Sequence, residues 1–302
     1  MFKKIAALNN NIAKYGKVSI KSNKMLYEWF LTNYLYGNLL LEGSSLAKSD
    51  VNQFVFTKKL SEGDFFNDYL LIFNQMRILE NFEAYKEDFS LDYLLNIYNN
   101  CFYGIVELQD LDNLRYKRNL EDLCLWLNKS QNIDVVKLVL DFKYAFISLK
   151  PFVKYNKLFA RLLFTLILLN KNSLPFYLQR RDMSFYRNAL TALCEGEKKR
   201  YREIMLDLYA KNLAEYLAII SGKKNIKYDK KLLKIGEFAN NVGETKATIR
   251  YWTKMGILDV EEIVASGYQY YSDEMIDVVN KIQKLKKQRY SLNEIKRKLG
   301  HL

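Results

Sequence analysis

Two stretches of this chain hold residues whose types and spacing could do chemistry. The first runs Lys150-Pro151-Phe152-Val153-Lys154-Tyr155-Asn156-Lys157 and leads into an apolar run that carries Arg161. Lys150, Lys154, Lys157 and Asn156 therefore gather at the start of a helix, where unpaired N–H groups and the helix dipole favour an anion. Such a cluster suits a nucleotide or phosphate effector, or contact with nucleic acid; a solvated cluster of charges accounts for the same residues. The second stretch is 246–254, where Ile249 and Trp252 are spaced to pack inward and Lys246, Thr248, Arg250, Tyr251 and Lys254 are left outside. Other chemistries lack material. His301 is the lone histidine, and Cys101, Cys124 and Cys194 are widely spaced without a CxxC. That pattern excludes a disulfide framework or zinc site and reads as core thiols in a reducing compartment, with no metal and no cofactor expected.

The elements that must position these residues are helices. A chain of 302 residues with 49% hydrophobic content has material for two or three cores, and only 2 Pro and 12 Gly leave few breaks. Helical spacing of apolar residues covers 22–42, 64–80, and roughly 90–103, 119–128, 134–149, 157–170, 182–195 and 198–220. Short polar interruptions separate them, among them GSSLAKSD after residue 42, and no strand pattern precedes residue 225. The polar, basic stretch SGKKNIKYDKK at 221–231 is the clearest boundary, dividing an all-helical body, 1–222, from a small module, 223–302. The formal charge is 47 − 34 = +13, and 221–302 alone holds 17 Lys or Arg against 10 Asp or Glu, so +7. This balance favours a polyanionic partner without choosing between DNA, RNA and acidic lipid. The opening MFKKIAALNNNIAKYGK has too short an apolar stretch for an export signal. The most apolar run, Leu162–Leu169, is far below the ~20 residues of a membrane span. A cytoplasmic protein with no membrane partner is expected.

The module begins LLKIGEFANNVGETKATIRYWTKMGIL. Its first helix spans about Ile235 to Asn241, Gly243 permits a tight turn, and Thr245 suits the N-cap of the second helix. A wing-like segment from Gly256 to Tyr271 follows, then a helix opening at Ser272 and a last helix starting with the capping box Ser291…Glu294. Read in order, IGEFANNVG, ATIRYW, MGIL, GYQYYS and SLNEI make about 70 residues that resemble the MerR-family DNA-binding domain, a winged helix-turn-helix. The resemblance implies that the second helix enters the major groove of double-stranded DNA, placing Lys246, Thr248, Arg250, Tyr251 and Lys254 at or near it. It also implies that Tyr268, Gln269 and Tyr270 of the wing, with Tyr271, approach the backbone or minor groove. Gln269 stands where the family has an arginine, which removes a charge-assisted phosphate bond. Other readings stay open here: Arg250 pairing internally with Glu237 or Glu274, Tyr268 and Tyr271 as core aromatics, and the lysines of 281–287 as a solvated face.

The body carries a second resemblance. Lys150 to Arg161 aligns with the central motif of Fic-domain proteins, H-P-F-x-(D/E)-G-N-G-R-x-x-R, whose active members transfer AMP or a related group to a protein hydroxyl. LLLEGSSL (39–46) is similar to the family's inhibitory-helix segment, and FNQMRIL (73–79) and RDMSFYRNAL (181–190) fall at matching places, so the likeness covers about 25–220. Departures bear on the chemistry. Lys150 replaces the histidine that accepts the proton, and a protonated lysine cannot do so. Lys154 replaces the acid that holds the metal; Tyr155 and Lys157 replace both glycines; Leu158 replaces the first arginine. Asn156 and Arg161 persist. In inhibited members a glutamate pairs with the second arginine, and Glu42 and Arg161 occupy those positions, so a structural ion pair is implied; two unrelated surface charges are the alternative.

The combined expectation is a mainly α protein: a degenerate Fic-like helical bundle followed by a MerR-type winged helix-turn-helix. Functionally it is a DNA-binding protein, a transcriptional regulator, whose body is a pseudoenzyme serving assembly or sensing. Double-stranded DNA is the expected partner, with self-association through the body and a protein partner as further expectations. Alternatives are a Fic-type AMP or nucleotidyl transferase with an altered base, or an antitoxin-like interaction module.

Overall fold

The computed structural model describes residues 1–16, 20, 23–61, 63–82, 88–112, 114–130, 133–224, 233–260, 262–263, 269–272 and 274–299. His301 and Tyr268 lie outside them. Two compact units are present: Met1–Ser44 with Phe54–Ile226, and Ser45–Gln53 with Lys227–Leu302.

The first unit is helical: α1 Phe2–Ala13, α2 Lys24–Glu42, the end of α3 Lys48–Thr57, α4 Phe66–Glu80, α5 Leu91–Cys101, α6 Lys117–Lys129, α7 Val135–Leu149, α8 Asn156–Asn170, α9 Met183–Cys194 and α10 Lys198–Ile220. Local chemistry sets several starts. Asn23, Ser90 and Asp134 each accept a bond from the backbone N–H three residues on, at Leu26, Tyr93 and Lys137. At the other end of α2, Gly43 closes the helix at φ 90°, where a side chain would be strained. Among the described residues no helix is long and apolar enough to cross a membrane.

The centre of this unit is α8. Leu158 through Leu169 are all buried, polar Arg161 and Thr165 included, so α8 is covered on every side. It packs along α7, while α9 and α1 each lie against α10. Helices α1 and α3 go beyond the sequence expectation, which left 1–21 unassigned and placed the start of α3 inside a polar interruption. The reason is physical: α1 buries only Ile5 and Ile12, too narrow a stripe to carry a periodic signal, and depends on α10 for cover.

Between α8 and α9 the chain runs through the core without regular secondary structure over 173–179. Leu174, Phe176, Tyr177 and Leu178 are buried, and their backbone polar groups need partners away from water. Neighbouring side chains supply them: Tyr209 Oη donates to Leu174 O at 2.8 Å, Tyr216 Oη to Pro175 O at 3.1 Å, and Asn212 Oδ1 accepts from Tyr177 N at 3.0 Å. A methyl on Gly37 of α2 would collide with the Leu178 carbonyl, so only glycine lets α2 lie against this segment.

One buried carboxylate organises the same region. Glu215 on α10 accepts from Tyr177 Oη at 2.6 Å, Gln179 Nε2 at 3.0 Å and Arg181 Nη2 at 3.2 Å, and it pairs with Lys224. Burial alone would raise its pKa, but Lys224 and Arg181 outweigh that and hold it below the usual 4.5.

The second unit is built from α11 Ile235–Asn241, α12 Lys246–Lys254, α13 Glu274–Lys287 and α14 Leu292–Leu299, with a three-stranded antiparallel sheet. Strand β3 Gln269–Tyr271 is central, pairing with β1 Leu233–Lys234 (Leu233↔Tyr271) and β2 Glu262–Ile263 (Glu262↔Tyr270). The core joins Phe238, Ala239, Ile249, Trp252, Tyr271, Val279, Ile282 and Ile295. A helix-turn-helix with a strand-built wing is therefore present, and the last described helix begins with the Ser291–Glu294 capping box.

The Glu215 network makes a pH prediction. Because its folded pKa is depressed, its stabilisation is fully present above about pH 4.5 and is lost as pH falls through the folded value. Urea melts between pH 5 and pH 3 should show that loss, and Glu215→Gln should flatten the slope while costing about 1–3 kcal/mol at neutral pH. An unchanged slope in the variant would place the acid sensitivity elsewhere.

Candidate functional site

In the first unit the candidate site is the connection from α7 to α8. Lys150 ends α7 in the left-handed region, φ 48°, and Tyr155 precedes α8 in the same region, φ 57°. Such a conformation costs a non-glycine residue roughly 1–2 kcal/mol, so the surroundings must fix it. They do so from several directions. Asn156 turns its amide back on the loop, Oδ1 accepting from Phe152 N at 3.0 Å and Nδ2 donating to Phe152 O at 2.6 Å. Tyr98 Oη donates to Lys154 O at 3.0 Å, and Arg115 N donates to Pro151 O at 3.1 Å. The rings follow suit: Phe152 stacks on Tyr98 at 3.8 Å, and Tyr155 on Phe102 at 4.8 Å.

Side chains of Lys150, Lys154 and Lys157 are exposed, whereas Leu158 is fully buried. Both ends of the Asn156 amide are occupied within the loop. Among the described residues no group of three or more His, Cys, Asp or Glu side chains is arranged to hold a metal.

Behind the loop, Arg161 is buried. Its Nε donates to Asn38 Oδ1 and its Nη2 to Glu42 Oε1, both at 2.6 Å. Asn38 Nδ2 donates onward to Gln75 Oε1 at 3.0 Å, and Gln75 Nε2 to Leu71 O at 3.3 Å. One guanidinium thus ties α8 to α2 and, through two amides, to α4. Burial disfavours the Arg161 charge, but Tyr186 and Glu42 more than offset this, and its pKa is raised. Beside it, Lys143 is fully buried among Phe164, Phe176 and Tyr186, its Nζ 4.8–5.6 Å from those ring centres and without a hydrogen-bond acceptor among the described residues. Burial pushes the Lys143 pKa down despite the Tyr186 phenol, whose own pKa falls because Lys143 and Arg161 together outweigh its burial. Sequence reasoning reached Glu42 and Arg161 but missed Asn38, Gln75, Lys143 and Tyr186; the only available hint was Asn38 one turn before Glu42 on the same helix.

In the second unit the candidate site is α12. Thr245 caps it, accepting from Thr248 N at 3.0 Å, and the two hydroxyls lie 2.9 Å apart, so Thr248 is half-buried in its own cap. Ile249 and Trp252 point into the core. Lys246, Arg250 and Lys254, spaced by four, share an exposed face with Tyr251, which is 52% exposed. Arg250 makes no ion pair among the described residues, which leaves its guanidinium available. The Lys246 stem crosses Gly236, where an added Cβ would lie 3.0 Å from Lys246 Cε. Lys286 Nζ sits 5.3 Å from the Trp252 ring centre, and Lys296 donates to Met255 O at 2.6 Å, closing the end of α12.

The wing divides differently. Tyr271 is fully buried and stacks on Phe238 at 4.6 Å, so it is a core aromatic. Its hydroxyl donates to Gln269 Oε1 and lies against Thr253 Oγ1, each at 2.9 Å. Gln269 and Tyr270 are half-buried. Gln269 therefore has an internal role, linking β3 through Tyr271 to α12, that residue type alone did not announce.

With this geometry in place, comparisons with known proteins fall on the same two units. Residues 233–302 match the MerR HTH family regulatory protein model. Over 67 residues, 22% of this chain, the sequence is 36% identical to the mercuric resistance operon regulatory protein of Bacillus cereus. The chain spans about half of that relative, 51% of its length. Among solved structures, a Fic domain containing signaling protein from Bacteroides thetaiotaomicron is similar over 74% of this chain and 100% of its own, with a TM-score of 0.64 and 15% identity. Fic-1 from C. elegans is similar over 74% of this chain and 73% of its own (TM-score 0.62, 15% identity). A Fic family protein from Desulfovibrio desulfuricans G20 covers 90% and 95% (TM-score 0.57, 15% identity). At such identities the likeness is one of fold: a Fic-like helical body joined to a MerR-type winged helix-turn-helix.

The Arg161 network predicts an asymmetric response. Arg161 is 3% exposed and Glu42 27%, so losing Glu42 strands the less hydratable partner. Glu42→Ala should cost about 3 kcal/mol in urea unfolding, and the Glu42→Ala/Arg161→Met double variant should regain more than half of it. A loss in the double variant equal to the sum of the Glu42→Ala and Arg161→Met losses would show that the pair is not coupled.

Proposed function

We propose that this chain is a DNA-binding transcriptional regulator in which the terminal unit reads duplex DNA through α12 and the Fic-like body transfers no nucleotide. The observation that carries the DNA reading is the exposed face of α12, where Lys246, Arg250, Tyr251 and Lys254 stand clear of the core. A helix of this width fits a major groove, with Lys and Arg for phosphates and guanine edges. The MerR-type match over 233–302 and the regulatory name of the B. cereus relative support the same reading. Gln269 and Tyr270 are assigned to the wing's approach to the backbone, the Gln269 amide nitrogen being its remaining donor.

Absence of transfer rests on the α7–α8 loop. The residues there do not fit a nucleotide whose phosphates carry a metal. Lys154 offers that cation a like charge, the Asn156 amide is committed to Phe152, and the Tyr155 ring covers Phe102. Lys150 is exposed and stands where the family's proton-accepting histidine does, and an ammonium offers three donors and no acceptor. We assign the body to assembly or sensing, including self-association that would pair two terminal units on one duplex.

Gel shifts across a salt series test the first part. Lys246→Ala with Arg250→Ala should weaken retention by roughly 10- to 100-fold and lower the salt slope by about one to two. Intact salt-dependent affinity in that variant would overturn the groove assignment. For the body, incubation with labelled ATP or other nucleotides should give no protein labelling, in the wild type or in Glu42→Gly. Label transfer that disappears in Lys150→Ala would instead establish an enzyme.

A further inference from the structure

The body carries a concentrated positive surface that the α12 reading leaves unused. It comes from two segments joined edge to edge by the Arg115 N to Pro151 O bond: Arg115, Lys117 and Arg118 on one, Lys150, Lys154 and Lys157 on the other. All six side chains are exposed, and none makes an ion pair among the described residues. Tyr116, between the cations, is 62% exposed. No acid lies within either segment; Asp110, Asp112, Glu121 and Asp122 flank the first, while Glu42 and Asp68, nearer Tyr155, are bonded to Arg161 and Ser44.

This arrangement is electrostatically unfavourable by itself. Like charges on adjoining segments repel, and Lys117, Arg118 and Lys157 sit in first helical turns, where the macrodipole disfavours cations. The Lys150–Lys157 backbone is nevertheless held by Tyr98, Asn156 and the stacked rings, and the Arg115 N bond ties the other segment to it, so the two sets of charges stay together. A rigid array of unpaired cations interleaved with an exposed tyrosine is complementary to a polyanion with regularly spaced charges.

We propose that Arg115–Arg118 and Lys150–Lys157 form a second, sequence-independent surface for the phosphate backbone of duplex DNA. The inference rests on the DNA reading of the terminal unit, which brings a duplex to the same molecule and so raises its effective concentration for the body. The surface contributes affinity and salt dependence, while base discrimination stays with α12.

The full-length chain carrying Lys117→Gln, Arg118→Gln, Lys154→Gln and Lys157→Gln tests it, since these side chains are exposed and their loss spares the fold. Binding is measured on duplexes of about 20 and about 60 base pairs between about 50 and 200 mM salt. The variant should lower the salt slope on the longer duplex by about 3, weaken binding there by at least about tenfold at low salt, and leave preference among sequences unchanged. Inorganic phosphate or ATP at about 1 mM should not displace the duplex at this salt. Wild-type slope and affinity in the variant would overturn the second surface while leaving the α12 reading intact. Displacement by those small anions would overturn it in favour of a phosphate effector site. A wild-type chain that retains no duplex at all removes both readings together.

Discussion

Burial of the Arg161 guanidinium is the constraint from which much of the body follows. A cation enclosed in a helix buried on every side must keep its donors occupied, or the fold carries an uncompensated charge. Meeting that demand requires α2 to run where Asn38 and Glu42 can reach α8, and α4 to run where Gln75 can orient Asn38. Gly37, on the same stretch of α2, permits the close pass against Leu178 that this placement needs. The polar chain therefore fixes the relation of three helices that apolar packing alone would leave more variable.

In the α7–α8 loop the backbone shape is imposed by neighbouring side chains rather than by glycine. Tyr155 holds a conformation that glycine would adopt freely, and the loop survives because Phe102, Tyr98 and Asn156 each fix part of it. The side chains on that scaffold form a basic surface. The Asn156 amide serves the loop itself, closing the turn at Phe152.

Much of this was legible in sequence. Apolar spacing located α2 and α4 to α10, which bury from three side chains on α6 to twelve on α8, while the short helices of the second unit were placed with the help of their cap and turn residues. Thr245 and the Ser291–Glu294 box marked helix starts, because those side chains satisfy N–H groups locally. Glu42 and Arg161 were paired by family resemblance, not by spacing; their separation along the chain gives no periodic clue. What escaped was set by tertiary contact: α1, which depends on α10; the β1–β3 pairing, where two- and three-residue strands carry no pattern; and the tyrosines. Tyr209 and Tyr216 each satisfy a backbone carbonyl in the core, and Tyr98 satisfies one in the α7–α8 loop. Residue type cannot reveal which tyrosine reaches which carbonyl.

The chain of bonds from Gln269 through Tyr271 to Thr253 has a consequence for how the terminal unit meets any surface. Since Tyr271 is also clamped against Phe238, strand β3 cannot tilt independently of the two helices. Helix and strand thus behave like the jaws of a fixed-gap caliper rather than a hinged grip. Under the proposed DNA reading, tolerance to variation in the duplex must then come from its own bending, which makes its deformability part of what is selected.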